Sequence, residues 1–139
     1  MLLAERIEEV SKEKIIPSVL PELKEVDFNL NLIYPRLPDH IDIEAMNRDV
    51  FRAMLSGIGA ESIQTVCGRV ESIFKFLGNG KPREIILVTH DFLMRVIEIY
   101  VRSGGPPSQI TYEDLLRTNR NLYLRGFATD SLFSKVQAL

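Results

Sequence analysis

Cysteine and histidine are scarce in this 139-residue sequence, which has one cysteine, Cys67, and two histidines, His40 and His90. A single cysteine excludes an intrachain disulfide. Two isolated histidines without ligand spacing make no metal site, so neither a metal nor another cofactor is expected. Apolar runs are short as well. None approaches the roughly 18 to 20 residues of a membrane span. The opening Met1-Leu2-Leu3-Ala4-Glu5-Arg6 is too briefly apolar, and too soon acidic, for a signal peptide. Neither sign of charge is in excess: the net charge is -2 and the pI about 5.7, which gives no broad electrostatic footprint for nucleic acid. There is no repeat and no low-complexity segment. What is present is an ordinary globular mixture, 45% hydrophobic and 26% charged, long enough for one domain with its own core over residues 1–139. The expectation is a cytoplasmic protein with neither a nucleic-acid nor a membrane partner.

Periodicity divides the chain. Leu2, Leu3, Ile7 and Val10 share one face of a helix over residues 2 to 12. Lys14 to Val19 is a short β candidate that Pro17 confines to an edge. Residues 20 to 41, with Pro21, Pro35 and Pro38, read as an unusually long loop. A helix is expected over Asp42 to Leu55, with Ile43, Met46, Val50, Phe51 and Met54 in helical register, stopped by Gly57 and Gly59. Another is expected over Glu61 to Leu77, with Ile63, Val66, Val70, Ile73, Phe74 and Leu77 on its apolar face. After the turn Gly78 to Pro82, the run Ile85-Ile86-Leu87-Val88 reads as a strand covered on both faces. A helix over Phe92 to Arg102 follows, then a short helix opened by Thr111 and Asp114 in a capping-box spacing. Asn121 to Ala128 is a last strand candidate. Helix, turn, buried strand, helix is the pattern of an α/β fold.

Chemistry concentrates at Thr89-His90-Asp91. A buried strand whose polar tip opens a helix is where α/β proteins place ligands. Backbone N–H groups there face an anion, and an imidazole donates to phosphate oxygens or carries positive charge. A satisfied histidine at a strand end is the plain alternative. Glu61 and Ser62 stand where a helix cap is needed, Arg69 reads as a structural ion-pair residue, and Cys67 as a small, partly buried side chain with no thiolate-stabilising neighbours.

The order Glu61-Ser62, Arg69, turn, run, Thr89-His90 resembles the second half of the histidine phosphatase superfamily, in its phosphoglycerate mutase-like branch. Leu23-Lys24-Glu25-Val26-Asp27-Phe28-Asn29 is similar to that family's Leu-x-Glu-x-x-aromatic-Gly segment, and Thr118-Asn119 also fits. The resemblance covers nearly all of the chain. It implies a partial phosphoglycerate mutase-like three-layer fold, with a small, mainly parallel sheet flanked by helices, matching the C-terminal two-thirds of such a domain. It further implies His90 and Glu25 as catalytic residues, Glu25 as proton donor, and His90 and Asp91 as phosphate-binding residues. Glu61, Ser62 and Arg69 become structural or pocket residues.

Three departures bear on activity. The family's phosphorylated histidine lies in Arg-His-Gly, which this sequence lacks; His40, in Pro38-Asp39-His40, comes after the Glu25 segment and in the wrong order. The Ser-rich turn with a second phosphate-binding arginine is absent too. Asn29 and Asp91 stand where glycines are usual, and Asp91 offers an alternative general acid, as in the acid-phosphatase-like branch. The resemblance therefore implies an N-terminally truncated chain of phosphomonoester-hydrolysing or phosphoryl-transferring ancestry, inactive on its own. A non-catalytic anion-binding or protein-interaction module is the alternative. Phosphate or a phosphorylated small molecule is the expected ligand. A homodimer or larger assembly is expected through the open strand at Ile85 to Val88.

Overall fold

The structure, a computed structural model, describes residues 16–78 and 85–118 together with Glu5, Glu8, Glu9, Lys12 and Lys14. After a 3-10 turn, Pro21–Leu23, come five helices: α1 (Leu30–Ile33), α2 (Ile43–Ser56), α3 (Ile63–Gly78), α4 (Asp91–Ser103) and α5 (Tyr112–Arg117).

Local chemistry sets their ends. Asp42 caps α2 by accepting the N–H of Glu44, and Asn29 caps α1 by accepting that of Asn31. Ser62 Oγ accepts the N–H of Thr65 at the start of α3. Thr111 and Asp114 form a reciprocal capping box on α5, as their spacing predicts. Gly57 and Gly104 stop α2 and α4 in the left-handed region, at φ of 70° and 67°, where a Cβ would be strained.

Apolar periodicity sets the packing. Val50, Phe51 and Met54 of α2, Val66, Val70, Ile73 and Phe74 of α3, and Leu93, Val96, Ile97 and Tyr100 of α4 form one buried cluster, joined by Val26 and Leu115. Removing such side chains from water is worth about 1.5–3 kcal/mol each. α3 packs on α4 and on the Pro21–Leu23 turn, while α5 bridges α2 and α4. Ile43, placed by periodicity on the inner face of α2, is instead 69% exposed. It sits on the first turn of α2, where residues 41–44 are all exposed.

The α/β expectation is overturned. The described residues contain no strand, and the β pairing among them is one isolated antiparallel bridge, Phe28 with Ala60. Among the described residues there is no parallel sheet and no three-layer arrangement. Ile85 to Val88 is not covered on both sides as a central strand would be: Ile86 and Val88 are 61% and 62% exposed, and only the side of Leu87 packs on the core. β-branched side chains favour a pleated surface but supply no ladder of their own, and the ladder is what makes a strand. Ile16 and Val19, from the other early β candidate, are 79% and 95% exposed and likewise unpaired in a strand. The long loop holds two short helical turns, because Pro21 is preset for the first position of one and Asn29 caps the other. The helix expected over residues 2 to 12, apart from Glu5, Glu8, Glu9 and Lys12, and the strand expected over 121 to 128 lie outside the described residues.

Tyr100 is 1% exposed, stacks on Phe74 and donates from its hydroxyl to Glu71 at 2.7 Å and to the Cys67 carbonyl at 3.3 Å. Burial first, and then the bond to the Glu71 carboxylate, push its pKa well above the tyrosine range. Burial and a bond to Asp49 raise that of Tyr34 to about 12. Both phenols are thus favoured protonated in the folded state. Their contribution is fully present below the unfolded tyrosine value of about 10 and is lost as pH climbs through the folded values. Urea midpoints are therefore expected to fall steeply above about pH 10, and to fall less steeply in a Tyr34→Phe/Tyr100→Phe variant. An equally steep fall in the variant would place the alkaline sensitivity elsewhere.

Candidate functional site

The site builds from the amino end of α4. The first helical N–H groups have no intrahelical acceptors, and the cap residue, His90, provides no side-chain capping bond. The acceptor comes from far away in the sequence. Glu25 takes the N–H of Leu93 on Oε1 at 3.2 Å and that of Phe92 on Oε2 at 3.3 Å, across separations of 68 and 67 residues. Oε1 also accepts the N–H of Val26 at 2.8 Å. A carboxylate there meets the positive end of the helix dipole. Glu25 and His90, singled out separately in the sequence, thus meet at one helix terminus. Thr89, just before His90, donates from its hydroxyl to the Leu23 carbonyl at 2.7 Å.

Arg69 and Glu61 form the second half of the arrangement. Arg69 reaches Glu61 through two parallel bonds, Nε to Oε1 at 2.8 Å and Nη2 to Oε2 at 2.7 Å, with the two side chains only 12% and 11% exposed. Such fork-to-fork pairing fixes geometry as well as charge. Nη1 of Arg69 donates to the carbonyls of Glu22 at 2.9 Å and Lys24 at 2.8 Å. The Glu61 N–H donates to the Asp27 carbonyl at 2.7 Å, and Glu61 Oε2 accepts the Asp27 N–H at 3.3 Å. Glu61 is therefore more than a helix cap. Ser62 is the cap, its hydroxyl shared with Thr65 at 3.0 Å, and it makes no bond to Glu25 or His90. Lys24, pairing with Asp27 at 2.6 Å on the surface, holds the Asp27 carboxyl below its usual range.

Asp91 faces away from this group. Its carboxylate accepts Nε and Nη2 of Arg95 at 3.1 and 3.3 Å, and Arg95 Nη1 donates to Thr118 Oγ1 at 3.1 Å. The guanidinium also lies 5.2 Å over the Phe51 ring. Arg95 is the site neighbour that sequence reasoning missed; Thr118 is marked in the sequence, but not as its partner. Asp91 and Arg95 stand four apart on a helix, a spacing that signals a pair; nothing in the sequence signals the reach to Thr118.

The chemistry available is limited. His90 is exposed and accessible; Glu25 is half-buried with both oxygens engaged; the two nearby guanidiniums are already paired. His40 is exposed in the loop after α1, and it brings no second imidazole into the hydrogen bonds around Glu25. Cys67 is half-buried, and burial foremost pushes its thiol above the ordinary cysteine value, so it is a poor nucleophile. Among the described residues no three His, Cys, Asp or Glu side chains group as metal ligands, and no helix is long and apolar enough to cross a membrane. An open hollow of about 470 Å³, lined by Leu32, Ile33, Asp49, Arg52, Ala53, Ser56 and Ile58, does not include Glu25 or His90. Its polar groups bond to each other, Arg52 to Asp49 at 2.9 Å.

Set against protein-family models, curated proteins and solved structures, the chain matches none of them.

Proposed function

We propose that this chain carries part of a phosphomonoester-processing site of the histidine phosphatase kind, in which His90 contacts phosphate oxygens and Glu25 donates a proton to the leaving oxygen. The observation that carries this is the bonding of Glu25 to the N–H groups of Phe92 and Leu93, which seats the carboxyl group on the turn that His90 opens; to act as donor it first takes up a proton from water on Oε2 and gives up the 3.3 Å bond from Phe92. Support comes from these site residues alone, since the family's parallel sheet has no counterpart among the described residues. The chemistry needs a nucleophile as well as a proton donor and a phosphate contact. Neither His90 nor Glu25 supplies it while each fills its own role, and no Arg-His-Gly occurs in the sequence. The 139-residue chain alone is therefore a phosphate-binding half-site without turnover. Because Arg69 and Arg95 are both committed to carboxylates, and Glu25 already accepts the Phe92 and Leu93 N–H groups, the phosphate meets one imidazole, and binding is weak.

The test is a titration of the ¹⁵N-labelled chain with inorganic phosphate and with glycerol phosphate. Shifts of the His90 ring and of the Phe92 and Leu93 amides are expected to saturate in the millimolar range, and to vanish in His90→Ala. Silence at all three would end the proposal. p-Nitrophenyl phosphate is expected to remain unhydrolysed; turnover abolished by His90→Ala would show that a nucleophile is present after all.

A second reading, self-association, is favoured by the exposed β-branched side chains of Ile86 and Val88 on a segment without regular secondary structure. Apolar side chains exposed along such a segment invite pairing with another chain. A homodimer or larger assembly is expected in light scattering, weakened by Ile86→Lys/Val88→Lys. A monodisperse monomer of the parent chain would remove this reading.

A further inference from the structure

We infer that Arg69, held by Glu61, and Thr89 are positioning residues whose task is to place the Glu25 carboxylate. Three consecutive carbonyls precede Glu25, and each is taken by a side chain from elsewhere. Arg69 of α3 holds those of Glu22 and Lys24, and Thr89 holds that of Leu23 between them. On the other side Val26 is buried at 2% exposure, Asp27 is held through both its N–H and its carbonyl by Glu61, and the Asn29 N–H donates to the Gly59 carbonyl at 2.8 Å. Phe28 packs its ring on Phe92 of α4, but the polar side chain of this stretch that bonds to the α4 main chain is Glu25, and its backbone is tied down on both flanks.

Magnitudes favour placement over simple bracing. Surface carbonyls are satisfied by water at little cost. Bringing an arginine and a glutamate to near-burial carries a desolvation penalty that a brace between two helices would not require. The bonds that result at α4, 3.2 and 3.3 Å, are longer than the roughly 2.7–2.9 Å of strong charge-assisted pairs. Such bonds do not hold a flexible glutamate by themselves. They persist because the clamp has already fixed the main chain. The bearing on phosphate chemistry rests on the role proposed above for Glu25, but the clamp itself is tested without phosphate.

Phe92 and Leu93 offer a direct readout, because as first-turn amides they have no intrahelical acceptor and owe their protection to Glu25. Amide hydrogen exchange is measured on the full chain and on Thr89→Val, Thr89→Ser, Arg69→Gln and Arg69→Lys. Thr89→Val and Arg69→Gln are expected to speed exchange at Phe92 and Leu93 about tenfold, the scale of one lost hydrogen bond to a charged group. Val70 and Val96 report the integrity of the core and keep their protection. Thr89→Ser, which keeps the hydroxyl, restores the parent rates. Arg69→Lys, which loses the fork, does not. Unchanged exchange at Phe92 and Leu93 in a folded Thr89→Val chain, or failure of Thr89→Ser to rescue, overturns the inference. If Arg69→Gln unfolds the chain, the Thr89 pair decides alone. Loss of phosphate binding with intact Glu25 protection would count against the function and leave the clamp standing.

Discussion

Phe92→Ala is expected to lower the stability of the fold by about 4 kcal/mol, within the range measured for deleting a buried phenyl group. Phe92 is 5% exposed and meets two other rings edge to face, Phe28 at 5.5 Å and Phe51 at 5.8 Å between centroids. Each such pair adds roughly 0.5–1.5 kcal/mol beyond the area it buries. The ring therefore joins the segment after Glu25 to α2 through the first turn of α4. Against a total of about 5–15 kcal/mol the loss is large, and a melting temperature lower by roughly 10 °C or more should follow. Phe92→Leu keeps most of the volume and should cost less than half as much. Urea unfolding with a constant slope measures both. A loss below about 1.5 kcal/mol for the alanine variant, less than a fully packed ring permits, would mean that the three rings do not act as one unit.

Asp91→Ala should be nearly as damaging, for an electrostatic reason. Arg95 is the buried partner of the pair, its side chain 5% exposed, whereas that of Asp91 is 45% exposed. Removing the carboxylate strands a guanidinium out of water with only Thr118 and the Phe51 ring for company, at about 3 kcal/mol. Removing the arginine instead leaves a carboxylate that water can reach, so Arg95→Met should cost under 2 kcal/mol. In the Arg95→Met background Asp91→Ala should then be close to neutral. The coupling energy from the four-protein cycle is expected at about 2 kcal/mol or more. Equal costs for Asp91→Ala in both backgrounds would show that this carboxylate does not compensate Arg95, and would return Asp91 to consideration as a free acid beside His90.

The helices were legible because their signals are local. The apolar spacing of α2, α3 and α4 and the capping pair of α5 are written within a dozen or so residues, and α2, α3 and α4 form within one or two residues of the expected bounds. The sheet was misread because Ile85-Ile86-Leu87-Val88 states a side-chain preference, while a strand also needs a partner that no local pattern supplies. Around Glu25 the residue types stand out in the sequence, but the hydrogen bonds that join them do not. Glu25, Glu61, Arg69 and His90 were marked by order and residue type. That Arg69 would spend its third nitrogen on the carbonyls of Glu22 and Lys24, or that Thr89 would take Leu23, follows only from how the loop lies across α3 and α4. Asp91 was read as a companion of the phosphate, but its partner stands one turn further along the same helix.

The capping of α4 from a distance also bears on the order in which the molecule assembles. α5 carries its own cap three residues away and can close its first turn as soon as it is made. α4 has no such start. Its first turn is completed only after a loop of 67 residues has closed, and loop closure entropy must be met before the contact rewards it. During synthesis Glu25 leaves the ribosome long before Phe92 and Leu93 exist, so its carboxylate waits in water while α2 and α3 form. The cap at the amino end of α4, where His90 sits, is therefore among the last bonds of the described fold to be secured. It can open and close while the buried side chains of Phe92 and Leu93 keep the same turn on the core.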